Sequence, residues 1–128
     1  MKYFVCLVSA CAMLALGPVT AAASAPKGPK DQPVYVCLDK VGKNYPSLFR
    51  CVRNRVGPGR PEVACIKNNR PNRRGTGYRN FRACMIRKAP TADKLSNIFY
   101  KCAQSSPARG GVGYKNFRDC VRDAVGAL

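Results

Sequence analysis

Three stretches of the chain set apolar residues at helical spacing among basic ones. Tyr45, Leu48, Phe49, Val52 and Val56 fall at i, i+3, i+4, i+7 and i+11; Tyr78, Phe81 and Met85 at i, i+3 and i+7; Tyr114, Phe117, Val121 and Val125 at i, i+3, i+7 and i+11. That is the stripe of an amphipathic helix with one buried face. Arg50, Arg53, Arg79, Arg82, Lys115, Arg118 and Arg122 fall mostly off the stripes, so each predicted helix has an aromatic inner face and a basic outer one. Shorter segments precede these helices. "RPEVACIKNN" places Pro61 and Glu62 where a first turn favours them and Asn69 near its end. "TADKLSNIFYKCAQ" offers Thr91 as N-cap, then Leu95, Ile98, Phe99 and Cys102 at i, i+3, i+4 and i+7. "PVYVCLDKVG" is ambiguous, because Val34, Tyr35 and Val36 suit a strand equally well. The pattern predicts an all-α protein, a small disulfide-stabilised bundle of five or six short helices.

The stripes belong to a repeated phrase. "GYRNFRAC" at 77–84 returns as "GYKNFRDC" at 113–120, and "NYPSLFRC" at 44–51 is a weaker third copy. Each copy follows an earlier cysteine, so the chain reads as three degenerate repeats of one supersecondary unit. Tyr and Phe at i and i+3, with Cys at i+6, are what a short helix needs to pack and to cross-link. The repeat suggests Cys37–Cys51, Cys65–Cys84 and Cys102–Cys120 as clasps of helical hairpins, although six cysteines permit other connectivities. The glycines of "GTGY" at 75–78 and "GVGY" at 111–114 read as tight turns before helices. A phosphate-binding loop would need a preceding strand and a longer glycine pattern.

The N-terminus has the three zones of a secretory leader: Lys2, an apolar run from Phe4 to Leu16, and small residues from Ala21 to Ala25. The expected division is a signal peptide at 1–25, with Ala23 as a rival cleavage site, a flexible Pro/Lys-rich segment at 26–33, and a single cysteine-rich helical domain at 34–128. Cleavage removes Cys6 and Cys11 and leaves Cys37, Cys51, Cys65, Cys84, Cys102 and Cys120. An even set in a short secreted chain points to disulfides. A zinc site would need close Cys or His pairs, and the chain has no histidine. Cross-links of about 2–4 kcal/mol each then supply much of the stability of a core this small. No stretch is long and apolar enough for a membrane helix, so any membrane contact is expected to be peripheral.

Charge narrows the function. The chain carries 23 lysines and arginines against six carboxylates, a net charge of +17. A fold gains nothing from that excess, which favours an anionic partner. From Val63 to Ala92 there is no carboxylate, while Lys67, Arg70, Arg73, Arg74, Arg79, Arg82, Arg87 and Lys88 are present. These eight are the candidate anion-binding residues, with "NNRPNRRGTG" at 68–77 as the polar loop among them. Guanidinium groups bind phosphate or sulfate bidentately. The rival expectation is charge spread evenly over the molecule.

Catalysis is disfavoured. Without histidine there is no Ser-His-Asp or Cys-His chemistry, and the usual copper and zinc ligands are missing. The carboxylates are Asp31, Asp39, Glu62, Asp93, Asp119 and Asp123. Asp119 and Asp123 share one helix face instead of facing each other across a cleft, as glycoside hydrolysis requires. The expectation is no enzyme activity, no cofactor and no metal.

The stretch from Cys37 to Pro58, in which a thirteen-residue spacer leads to "CVRNRVGP", resembles the microplusin-like (hebraein-type) cysteine-rich antimicrobial proteins of ticks. The resemblance implies an all-helical six-cysteine fold, secretion in an arthropod setting and antimicrobial defence. Copper sequestration through histidines, known in that family, cannot be carried over to a chain that has none. The expected function is therefore a secreted cationic protein that binds an anionic microbial envelope. The alternative is a salivary or venom effector that binds a sulfated glycan or inhibits a host protease, complement or coagulation protein, using the same arginines and a loop such as "VGPGRPE" at 56–62. Non-specific nucleic-acid binding is a third reading.

Overall fold

The computed structural model describes residues 28–128. The stretch expected to be a leader, with Cys6 and Cys11, and the start of the Pro/Lys-rich segment lie outside the described residues. A 3-10 turn at Pro29–Asp31 leads into six α-helices: α1 (Pro33–Lys40), α2 (Tyr45–Arg55), α3 (Pro61–Lys67), α4 (Gly77–Ile86), α5 (Lys94–Ser105) and α6 (Gly110–Gly126). No strand occurs among the described residues. The ambiguous segment "PVYVCLDK" is α1. Pro33 presets its first turn, and Val34, Cys37 and Leu38 are buried at helical spacing while Val36 is 41% exposed, so packing overrides the β-propensity of its valines.

Two N-caps are made by side chains. Asn44 Oδ1 accepts from Ser47 N at 2.9 Å at the start of α2, and Asp93 Oδ1 accepts from Ser96 N at 2.9 Å at the start of α5. The second corrects the expectation of Thr91 as N-cap. Thr91 sits a full residue pair before the cap and donates its hydroxyl to Asp93 O at 3.4 Å. Asp93 also brings a negative charge to the positive end of the helix, which a threonine does not.

The three disulfides join Cys37 to Cys51, Cys65 to Cys84 and Cys102 to Cys120. Each clasps one helical hairpin, α1 to α2, α3 to α4 and α5 to α6, and this is the pairing that the spacing of the repeated phrase suggests. Every stripe residue of α2, α4 and α6 is buried, together with Val34, Leu38, Val63, Ile66, Leu95 and Phe99. Aromatic rings fill the centre. Tyr45, Tyr78 and Tyr114 form a triangle with ring centroids 6.4, 5.7 and 6.1 Å apart. Phe81 and Phe117 meet edge to face at 5.3 Å, and Phe99 meets Phe117 at 5.5 Å.

The glycines before these tyrosines act by close approach more than by turning. Only Gly75 of the four has a positive φ, +69°. Gly111 and Gly113 lie inside α6, which starts at Gly110, so the expected turn before that helix is part of the helix. A Cβ on Gly113 would overlap Pro107 O and come within 2.8 Å of the Tyr78 ring; one on Gly77 would come within 2.8 Å of the Tyr45 ring. Each glycine clears space for a tyrosine of the preceding hairpin.

Candidate functional site

The eight candidate cations divide into two groups according to what already holds them. Lys67 and Arg82 are half-buried and engaged. Lys67 Nζ donates to Val56 O at 2.6 Å. Arg82 donates from Nε to Ser106 O at 2.7 Å and from Nη2 to Gln104 O at 3.4 Å, so it satisfies carbonyls left without partners at the end of α5. These two candidate cations are thus already hydrogen-bonded to main-chain carbonyls and act as clamps between elements. A carbonyl offers them the negative partner that solvent-facing arginines must find elsewhere. Arg87 is exposed and curls back to Ala83 O of its own helix at 3.2 Å. Arg70, Arg73, Arg74, Arg79 and Lys88 are exposed and in no ion pair with a described residue.

The copy of the phrase at 113–120 repeats the clamp. Arg118 donates from Nε to Leu38 O and from Nη2 to Asp39 O, both at 3.0 Å, at the end of α1. Cations at helix C-termini also meet the negative end of the helix dipole. In the copy at 44–51 Phe49 stands where Arg82 and Arg118 stand, and the end of α3 is capped instead by Asn69, whose Nδ2 donates to Cys65 O at 2.7 Å.

The polar loop between α3 and α4 is tied from within. Asn72 Oδ1 accepts from Arg74 N and Thr76 N, each at 3.1 Å, and Gly75 N donates to Asn72 O at 3.1 Å. The Tyr45 hydroxyl anchors its start by donating to Asn69 O at 2.5 Å. Arg73 and Arg74 thus project from a turn closed by Asn72.

Arg70 does not join Arg73 and Arg74 in one pocket. It lines a groove of about 440 Å³ with Arg50 and Arg53 of α2, and Phe49 and Pro71 are also in its wall. Arg87 and Lys88 line a separate hollow of about 350 Å³ beside Cys84. The contribution of Arg50 and Arg53 is missed when the acid-free run is taken to begin at Val63. The signal was available: from Lys40 to Ala92 the only carboxylate is Glu62.

Glu62 itself is fully buried. It accepts from Arg60 Nε at 2.5 Å and from Ser96 Oγ at 2.8 Å, while Arg60 Nη2 donates to Asp93 Oδ1 at 2.5 Å. Burial alone would raise the Asp93 pKa, but the Ser96 N–H and the Arg60 guanidinium outweigh it and hold the carboxyl below its usual range. Arg60, in the loop "VGPGRPE", is thus engaged in this internal network. Asp39 pairs with Arg122 at 2.9 Å, and Asp119 and Asp123 are exposed on α6.

A smaller hollow of about 200 Å³ lies over the tyrosine triangle, where α2, α4 and α6 begin. The tyrosine hydroxyls that border it are engaged with Asn69, Ser106 and Gly42. No helix among the described residues is long and apolar enough to cross a membrane. Compared with protein families, curated proteins and solved structures, the chain matches none.

Proposed function

We propose that this protein is a secreted, non-catalytic, cationic defence protein that binds anionic microbial surfaces. One observation carries the reading. Between Lys40 and Ala92 the single carboxylate, Glu62, is buried against Arg60, so the exposed arginines of that segment have no acidic neighbour within it to compensate them. Attraction of several such arginines to anionic headgroups, at about 1 kcal/mol each near the surface, suffices for binding. The aromatic stripes are spent in the core, which favours surface attachment over lysis. The resemblance of residues 37–58 to microplusin-like proteins supports a defence role by a route that needs no histidine.

The test is growth inhibition of Gram-positive, Gram-negative and fungal cells by oxidatively refolded protein, at low and at physiological salt, beside a variant with Arg70, Arg73, Arg74 and Arg79 changed to Gln. Arg82 is left in place because it holds the end of α5. Inhibition that fades with salt and with the four substitutions is expected. Absence of inhibition by correctly folded protein would overturn the reading and favour a host glycan or host protein as the partner.

A further inference from the structure

The groove lined by Arg50, Arg53 and Arg70 is assembled from two separately anchored walls. Arg50 and Arg53 stand one turn apart on the outer side of α2, next to Cys51, which ties that helix to α1 through Cys37. Arg70 and Pro71 form part of the opposite wall, fixed by the bond from the Tyr45 hydroxyl to Asn69 O and by the Asn72 turn. Pro46 and Phe49 complete the lining, and Phe49 is only 8% exposed.

Three features define its ligand. All three arginines are exposed and in no ion pair with a described residue, and no carboxylate of the described residues lines the groove. Three guanidinium groups lining one groove suit a multi-oxygen anion such as a phosphate or sulfate ester. The two prolines offer flat C–H surfaces that match the face of a sugar ring, and Asn54 places an amide in the lining for a hydroxyl. The volume of about 440 Å³ lies within the range of about 300–1,000 Å³ that small-molecule sites occupy. Nucleic acid fits less well, because base stacking needs a presented aromatic face and the ring here is nearly covered. Acyl chains also fit poorly, since the exposed large apolar residues, Val36, Val41, Val112 and Leu128, are not in the lining.

We infer that the Arg50–Arg53–Arg70 groove is a binding site for a saccharide carrying a phosphate or sulfate ester. The inference deepens the surface-binding reading, with which it shares Arg70, by naming the group recognised.

The test is two-dimensional NMR titration of the refolded protein with glucosamine 6-phosphate, glucosamine 6-sulfate, glucosamine and inorganic phosphate. Either sugar ester is expected to shift the amides of residues 49–54 and 69–71 selectively, and the ratio of the two affinities tells a phosphorylated from a sulfated source. Arg50→Gln and Arg53→Gln are each expected to weaken that binding by roughly tenfold. Lys101→Gln, an exposed change on α5, removes the same charge and is expected to leave it within about twofold. Far-UV circular dichroism checks that all three variants fold. Inorganic phosphate binding as tightly as the sugar esters would overturn the saccharide assignment. Shifts spread over all exposed cations, or an equal loss from Lys101→Gln, would overturn the groove altogether. Selective sugar-ester binding by a protein that inhibits no microbe would uphold this inference and reject the defence reading alone.

Discussion

Arg82 and Arg79 are neighbours in one phrase, three residues apart, and do different work. Arg79 is exposed, whereas Arg82 caps the end of α5 with a bond of 2.7 Å. Replacing Arg82 by Gln removes charge-assisted hydrogen bonds and is expected to cost about 1.5–3 kcal/mol in denaturant unfolding. Arg79→Gln is expected to stay within about 0.5 kcal/mol while weakening binding to an anionic vesicle more than Arg82→Gln does. Equal stability of the two variants would remove Arg82 from the clamp. Glu62 gives a second contrast. Aligned on the first cysteine of each hairpin, it occupies the position of Val34 and Phe99, all three with no exposure. That register was legible in the sequence, but a glutamate in the first turn of a helix reads locally as a solvated charge. Glu62→Ala leaves Arg60 Nε without its carboxylate partner, although Nη2 keeps Asp93, and opens a cavity, an expected loss of about 3 kcal/mol. Exchanging both residues for apolar ones, Arg60→Met with Glu62→Leu, is expected to recover most of it, as buried ion pairs often allow. A double variant no more stable than Glu62→Ala would show that Ser96 and Asp93 need the charges.

At the scale of elements, the sequence carries α2, α4 and α6 plainly, because each stripe is local and its period is written in consecutive turns. The disulfide pairing is legible for the same reason, since each bridge closes within one hairpin. The clamps are not. Arg118 and the carbonyls of Leu38 and Asp39 are about eighty residues apart, and no local pattern marks an off-stripe arginine as one that reaches the next hairpin. The proposed groove is half legible: the acid-free run includes Arg70, but its proximity to Arg50 and Arg53 depends on how α2 lies beside residues 69–71. The glycines of α6 test the packing of this helix directly. Gly113→Ala would press into Pro107 O and the Tyr78 ring and is expected to destabilise by about 1–3 kcal/mol. Gly111→Ala, with nothing within 4 Å of the new Cβ, is expected to stabilise by about 0.5 kcal/mol through helix propensity. Thermal unfolding of the two variants decides it, and the same sign for both would refute the close approach of α6 to α4.

For the molecule as a whole, the three hairpins are linked into a ring by their tyrosines. Tyr45 donates to Asn69 O of the second hairpin, Tyr78 is hydrogen-bonded to Ser106 of the third, and Tyr114 donates to Gly42 O of the first. The three disulfides hold each hairpin together but none of them joins one hairpin to another, so contacts between hairpins rest on the shared core, on these bonds and on side-chain contacts such as those of Arg82, Arg118 and Glu62. Burial pushes the Tyr45 and Tyr114 hydroxyls well above the usual phenol range. It also raises Tyr78, against the opposing pull of Ser106 and Arg82. A folded-state pKa above the unfolded value of about 10 means that the folded chain retains protons which the unfolded chain gives up. The stability involved is complete below about pH 10 and falls as pH rises beyond it. The three hydroxyls are therefore expected to stay protonated while the fold lasts and then to ionise together, with tyrosinate absorbance rising in the same step as far-UV circular dichroism and tyrosine near-UV signals report loss of structure. Tyr114→Phe, which opens the ring at the contact between the last hairpin and the first, is expected to move that step to lower pH. Ionisation of these tyrosines near pH 10 with the helices and the aromatic core intact would show that the ring does not hold the hairpins together.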